Sequence, residues 1–329
     1  MTTATLPTLQ DVIKAQKHVY RYLKPTPLYH YPGLDNLIGA EVWVKHENYH
    51  PLGAFKVRGG LNLVAGLTES QRRAGILTAS TGNHGQSIAF AGKVNGAPVT
   101  ISMPEGANPD KVAAIQSLGA KVVFVGRDFD VAREWAYEQA QKQGGFFVGP
   151  AEFPLICGVG TYTLEIIQEL PDVDCIIVPV GGGSGAAGVC IVAKAINPAI
   201  EVIAVQSAQA PAAQRSWQAG RLIEAEMNTF AEGLATRVPH ELPQRILRQH
   251  LDDFVLVDDQ ALKAAIILHL QYTHNLVEGA GAASLAAALQ LRERLANKKV
   301  ALVVSGGNLA LDKLHGILQQ KEALLAGAL

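Results

Sequence analysis

Residues 175–196 read CIIVPVGGGSGAAGVCIVAKAI. The run CIIVPV is continuously apolar and β-branched, as a strand buried on both faces requires. Four glycines and Ser184 fill the next five positions, and a helical pattern follows at once. Glycines let a backbone approach a ligand closely and aim successive N–H groups at one point. The start of the helix adds a partial positive charge. Together these make a cup for a phosphate, with the Ser184 hydroxyl as a further donor. One or two glycines suffice for a bare turn, so Gly181, Gly182, Gly183, Ser184 and Gly185 are read as a ligand loop. The loop lacks the Lys-Ser/Thr ending of a nucleotide P-loop. It also lacks the spacing and downstream acid of a dinucleotide fingerprint. A small phosphate ester fits it better than ATP or NAD.

The strand–loop–helix pattern repeats on both sides of this stretch. Upstream, GILTAS, PVTISMP, KVVFVG and GFFVGP read as strands, with helices over STGNHGQSIAFAGKVNG, ANPDKVAAIQSLGA and FDVAREWAYEQAQKQG between them. Asn108 caps the second of these helices, with Pro109 at its first position. Downstream come EVIAVQ and KVALVVSGGN, and two helices over residues 258–291. Alternation of this kind means parallel sheets covered by helices. The N-terminal stretch supplies a helix capped by Thr8 and one alternating strand, AEVWVKHE, with KPTPLY as a break between them. The expected fold is α/β, with two mostly parallel open sheets. Residues 1–65 and 153–329 would form the larger domain, and residues 66–152 the smaller.

Two further loops carry chemistry. In NYHPLGAFKVRGG, residues 48–60, Lys56 sits among Phe55, Val57 and glycines. It reads either as a surface lysine at a helix start or as a desolvated amine available as a nucleophile. In ASTGNHGQS, Ser80, Thr81, Gly82, Asn83 and His84 stand at the end of a strand and the start of a helix. Backbone N–H groups and hydroxyls there suit a carboxylate, although each residue alone could simply cap the helix. In VVSGGN, Ser305 could face the edge of a ligand or bond its own backbone.

Composition excludes several classes. The 329 residues, 48% hydrophobic, can bury a large core, and the formal net charge of −1 favours neither nucleic acid nor an anionic membrane surface. No apolar run is long enough to span a bilayer. The N-terminal residues lack the basic and apolar regions of a secretion signal. Cys157, Cys175 and Cys190 make neither a zinc spacing nor a disulfide framework. A cytoplasmic protein with a small-molecule substrate is expected.

GAFKVRGG, STGNHG, GGGSG and SGGN, in this order and at roughly these positions, resemble the serine/threonine dehydratase group of fold-type II pyridoxal-phosphate enzymes, which includes serine racemases. FAEGLA at 230–235 and VEGAGAA at 277–283 extend the likeness over nearly the whole chain. The resemblance implies pyridoxal 5'-phosphate as cofactor, joined to Lys56 as a Schiff base. Phe55 would lie against the ring, Asn83 would bond its phenolic oxygen, and Ser305 its nitrogen. Gly181 to Gly185 would hold the phosphate, while Ser80, Thr81, Gly82 and His84 would clamp the substrate carboxylate. A neutral hydroxyl at Ser305 makes the ring a weaker electron sink, which suits loss of a β-substituent over transamination.

The implied reaction is β-elimination from a 3-hydroxy amino acid, L-threonine or L-serine, to a 2-oxo acid and ammonia. Thr81 stands where racemases carry a serine base, which argues against efficient racemisation; a serine racemase-like isomerase stays as an alternative. Ala54, Gly60 and residues 48–51 depart from the family pattern. They raise a bulkier substrate, of the phenylserine or 3-hydroxyaspartate type, as another alternative. Racemases also bind a metal after the strand matching EVIAVQ, where Gln206, Ala210 and Ala212 offer no acid, so no metal is expected. Glu278 reads equally as a helix cap, a surface residue or a neighbour of the cofactor or a cation. The resemblance implies a homodimer and, as the chain stops at Leu329, no C-terminal regulatory domain.

Overall fold

The computed structural model describes residues 5–328. Ten strands form two sheets: β1 (Leu28–His30), β2 (Glu41–His46), β3 (Ile76–Ala79), β4 (Val99–Met103), β5 (Lys121–Phe124), β6 (Phe146–Phe147), β7 (Cys175–Pro179), β8 (Glu201–Ser207), β9 (Asp253–Val257) and β10 (Lys299–Val304). One sheet has six strands in the order β1-β2-β10-β7-β8-β9, the other four in the order β5-β4-β3-β6. Every pairing is parallel except β1 with β2. The expected α/β class with two mostly parallel sheets is the one observed.

Side-chain alternation builds the core of the larger sheet. Cys175, Ile177, Ile203, Val205, Val300 and Leu302 pack on one face with the helices Asp259–Tyr272 and Gly279–Gln290. Their neighbours Ile176, Val178, Val202, Ala204, Ala301 and Val303 pack on the other face with the helices Phe153–Glu169 and Ser184–Ile196. Successive residues of a strand point to opposite faces, and because both faces are covered the strands read as unbroken apolar runs. A third cluster, with Ile76, Ile88, Val99 and Ile101, holds the smaller sheet to its helices and to Val57 and Leu61 of the helix Lys56–Gly66.

The expected caps are present. Thr8 Oγ1 accepts from Asp11 N at 3.4 Å, while the Asp11 carboxylate accepts from Thr8 N at 3.0 Å. Asn108 Oδ1 accepts from Asp110 N at 2.8 Å. Three stretches differ from the sequence reading. KPTPLY is only partly a break: β1 begins there, directly after Pro27, whose carbonyl accepts from His46 N at 3.0 Å. A proline is tolerated at such a strand start because it need not donate. The β9 stretch DFVLV forms an edge strand that its polar flanks had hidden. GFFVGP contributes only Phe146 and Phe147 to the smaller sheet.

The topology sets the location of the site. The glycine loop leaves the carboxyl end of β7, and Ser305 that of β10, the adjacent strand. The segment leading to Lys56 leaves the carboxyl end of β2, on the other side of β10. Residues 80–84 leave that of β3. Ligands of open α/β sheets bind in the crevice outside the carboxyl ends of the strands.

Candidate active site

Lys56 is the first residue of its helix, and its half-buried side chain reaches the glycine loop, where Nζ donates to Ser184 Oγ at 3.0 Å. The amine also lies 4.9 Å from the centroid of the Phe55 ring. Burial lowers its pKa to about 8, since a protein interior disfavours the charged form. A second lysine, Lys45, is buried nearby, but there the charge is matched. Its Nζ pairs with Glu165 Oε2 at 2.7 Å and donates to Thr26 O at 2.6 Å. Lys56, unlike Lys45, has no carboxylate within ion-pair distance among the described residues.

Two positions of the glycine loop, Gly181 and Gly183, exclude a side chain. A Cβ on Gly181 would lie 2.0 Å from the Gly233 carbonyl oxygen, and one on Gly183, which has φ +90°, would lie 2.7 Å from Pro243 Cβ. A Cβ on Gly185 would sit 3.5 Å from the Phe55 ring, so Phe55 lies along this loop. Ser184 is buried at the N-terminus of the helix Ser184–Ile196, where the helix dipole meets the cleft. The result is a tight cradle of backbone with one hydroxyl and one amine at its mouth.

The backbone ties the Ser305 loop to the Lys56 segment. Phe55 N donates to Ser305 O at 3.0 Å, and Gly307 N to Gly53 O at 2.9 Å. Ser305 itself is buried. Asn83, at the head of its own helix, joins the same region: its Nδ2 donates to Glu278 Oε1 at 2.9 Å, and its Oδ1 accepts from Asn308 Nδ2 at 2.8 Å. Lys56, Phe55, the glycine loop, Asn83 and the Ser305 loop are thus brought to one place.

The remaining loop residues are more self-contained. Ser80 Oγ accepts from Gly82 N at 3.2 Å and Gly85 N at 2.9 Å, so its hydroxyl shapes the turn. Thr81 and Gly82 are partly exposed at the tip of this turn. The His84 ring is buried against Thr78, with Nε2 3.2 Å from Thr78 Oγ1. That hydroxyl donates to Val148 O, so Nε2 is the donor to it. Burial, and then the charge of Lys56, lower the His84 pKa to about 3, so the ring is neutral.

The departures from the family pattern take on a structural meaning. Gly60 leaves no room for substrate: a Cβ there would lie 2.3 Å from Ser87 Oγ, on the helix that packs across it. Ala54 is buried in a bridge to Gly306. Asn48 donates to Asn275 Oδ1 at 3.3 Å, and its Cβ lies 3.4 Å from where a Cβ on Gly307 of the Ser305 loop would stand. Gln206 turns its Oε1 to Ala213 N and Gln214 N, both at 3.1 Å, and so caps a helix.

Two features escaped the sequence reading, Asn308 and the partners of Arg58, and a third, Glu278, was left open by it. Asn308 directly follows SGG, and that adjacency was the available signal. Glu278 is drawn to the cleft by Asn83; burial raises its pKa to about 7, with the Asn83 bond opposing. Beneath Lys56 lies a buried ion cluster in which Arg58 bonds Glu47 (2.7 and 2.9 Å) and Glu165 (2.6 and 2.9 Å). The pattern KVRGG places Arg58 one half-turn from Lys56, but its partners come from 11 and 107 residues away.

A family model described as "Pyridoxal-phosphate dependent enzyme" matches residues 19–306. An L-threonine ammonia-lyase of Thermotoga maritima is 37% identical over 315 residues, covering 95% of this chain and 78% of the relative. A serine racemase of Schizosaccharomyces pombe is 32% identical over 317 residues, covering 96% and 98%. The structure of processed threonine deaminase isoform 2 from Solanum lycopersicum superposes with a TM-score of 0.90 at 29% identity, covering 96% of this chain and 94% of that one.

Proposed function

The chain belongs to the pyridoxal-phosphate-dependent enzymes, and from that premise we propose that it is an ammonia-lyase converting a 3-hydroxy amino acid, L-threonine or L-serine, to a 2-oxo acid and ammonia. The observation that carries this reading is the 3.0 Å contact between the Lys56 amine and Ser184 of the glycine cradle. It sets a desolvated nucleophile beside a phosphate site. The residues fit pyridoxal 5'-phosphate. The cradle excludes any Cβ at Gly181 and Gly183, Phe55 offers a ring face, and Asn83 an amide held by Glu278 and Asn308. When bound, the cofactor withdraws electrons from the substrate's Cα and so acidifies its proton.

In this reading Gly181, Gly182, Gly183, Ser184 and Gly185 hold the phosphate, and Lys56 holds the cofactor's aldehyde carbon. Asn83 is assigned to the phenolic oxygen and Ser305 to the ring nitrogen. The turn at Ser80, Thr81, Gly82 and His84 binds the substrate carboxylate through its N–H groups and the Thr81 hydroxyl. Ser80 acts by holding the turn, and His84 by packing beneath it. A pKa near 8 leaves the Lys56 Nζ neutral often enough at physiological pH to take the Cα proton. The β-hydroxyl then leaves as water, taking the proton that Lys56 removed from Cα, and a second water hydrolyses the released enamine to the 2-oxo acid and ammonia. Residues 66–152 would act as a substrate-clamping domain on a cofactor-binding domain of residues 1–65 and 153–329. Two ion pairs, Lys111–Glu232 and Arg237–Asp130, join these parts across the cleft.

Isomerisation is the second reading, favoured by the racemase relative and opposed by the methyl group of Thr81. The packing of Ser87 against Gly60 weakens one of the arguments for a bulky substrate. We further read the enzyme as a cytoplasmic homodimer; its three free, buried thiols suit a reducing compartment. The test is release of 2-oxo acid from L-threonine, L-serine, 3-hydroxyaspartate and phenylserine, with Lys56→Ala as control. Release from L-threonine or L-serine, absent in the control, supports the lyase. Inversion of L-serine faster than its deamination refutes it.

A further inference from the structure

His240 lies outside every motif, in the loop VPHE just before the helix Glu241–His250. The fold nevertheless turns its ring into the cleft. A Cβ on Gly182 would sit 3.6 Å from His240 Cδ2, 3.8 Å from Nε2 and 3.9 Å from Pro150 Cβ. The charges of Lys56 and Arg133 act on the ring, and the ring acts in turn on His84. His240 therefore lies against the glycine loop, within electrostatic range of Lys56 and of His84. Among the described residues none hydrogen-bonds its ring nitrogens. The side chains of Ser80, Asn83, His84 and Ser184, by contrast, all have protein partners.

We propose that His240 is a specificity-determining residue whose ring hydrogen-bonds the polar β-substituent of the amino-acid substrate. The identity of the ligand rests on the lyase reading. With Cα at Lys56 and the carboxylate on the turn at 80–84, the β-substituent is the part of the substrate left without a partner. A half-buried polar ring without a partner is costly unless a ligand supplies one. Burial, then Lys56 and Arg133, hold the ring's pKa near 4, so at neutral pH it offers one donor and one acceptor and carries no charge. Either capacity suits a hydroxyl. The ring positions and selects; it does not deliver the proton to the leaving group.

The test uses the cofactor-loaded enzyme with His240→Ala and His240→Asn, the latter retaining a hydrogen-bonding group. Three quantities are read: kcat/KM for L-serine and L-threonine, the affinity for L-serine and L-alanine from the change in cofactor absorbance, and the affinity for the cofactor. His240→Ala should weaken L-serine binding and lower kcat/KM about 10-fold or more, because a site built to bond a hydroxyl loses that discrimination. L-Alanine has no β-hydroxyl, and its affinity should change less than about threefold. His240→Asn should recover part of the loss, and cofactor affinity should hold. Equal weakening of L-alanine and L-serine, or a parallel loss of cofactor affinity, would overturn the proposal and assign His240 to the phosphate or to the loop. The binding comparison works even if the wild type releases no 2-oxo acid, so failure of the lyase reading is seen separately.

Discussion

Replacing Arg58 by Met tests the foundation under Lys56. Arg58, Lys45, Glu47 and Glu165 are buried to within 2% of complete exclusion from solvent and balance two charges against two. Arg58 donates to both carboxylates and, at 3.1 Å, to Thr161 Oγ1. Tyr20 OH donates to Glu165 at 2.7 Å, and Thr26 Oγ1 to Glu47 at 2.6 Å. Methionine fills similar volume but leaves Lys45 to serve Glu165 alone. Glu47 is then left with Thr26 and with His50, whose Nε2 lies 3.3 Å away. Breaking a buried pair by removing one partner costs about 3–5 kcal/mol, because the remaining charge is uncompensated. The cost should depend on pH. Burial pushes the Glu47 carboxyl up, but Arg58 first and then His50 pull it well below its ordinary value. A carboxylate with a depressed pKa contributes stability above its ordinary value and loses it as the pH falls through the folded one. Without Arg58 the burial effect dominates and the sign reverses. The penalty should be full near pH 8 and smaller near pH 5, falling by at most about 1.4 kcal/mol per pH unit. Denaturant unfolding of wild type and variant at both pH values measures it. A loss below about 1 kcal/mol near pH 8, or an equal loss at both values, would refute the reasoning.

Gly181→Ala should reduce cofactor affinity at least about tenfold, since its Cβ would collide with the Gly233 carbonyl, a backbone atom that cannot step aside; titration of the apoenzyme checks this. Cofactor uptake by the apoenzyme should speed up with rising pH, with a midpoint near the Lys56 pKa of about 8, as stopped-flow absorbance would show. Glu278→Gln should gain stability relative to wild type as the pH rises from about 5 to 8. A raised carboxyl stabilises the fold only while protonated, and that contribution is lost through a pKa of about 7; thermal melts at both values read the difference.

The parts of the fold that the sequence showed are those where one physical rule dominates. Cys175–Pro179 and Lys299–Val304 are buried on both faces and read as strands without ambiguity. Gly181 to Gly185 were read as a ligand loop because a turn alone does not need so many glycines. Edge elements were harder. Leu28–His30 has three residues and a proline before it, and its pairing with β2 supplies what local propensity does not. In the site, Lys56 was visible as an anomaly, but its state depended on whether a carboxylate lay near it, as one does for Lys45. That distinction is tertiary. Arg58 was illegible and Glu278 undecided because their partners Glu165 and Asn83 lie far along the chain; His240 was illegible because it belongs to no motif and only the fold brings it to the glycine loop.

The most direct measurement is to fix the cofactor to the protein with borohydride and map the labelled peptide. Trypsin does not cut at a modified lysine, so label on Lys56 gives the peptide of residues 46–58, HENYHPLGAFKVR, carrying the added mass. The account predicts that peptide as the main product, and none from Lys56→Ala. Label on Lys45 or on a surface lysine, with Lys56 cleaved as usual, would contradict it.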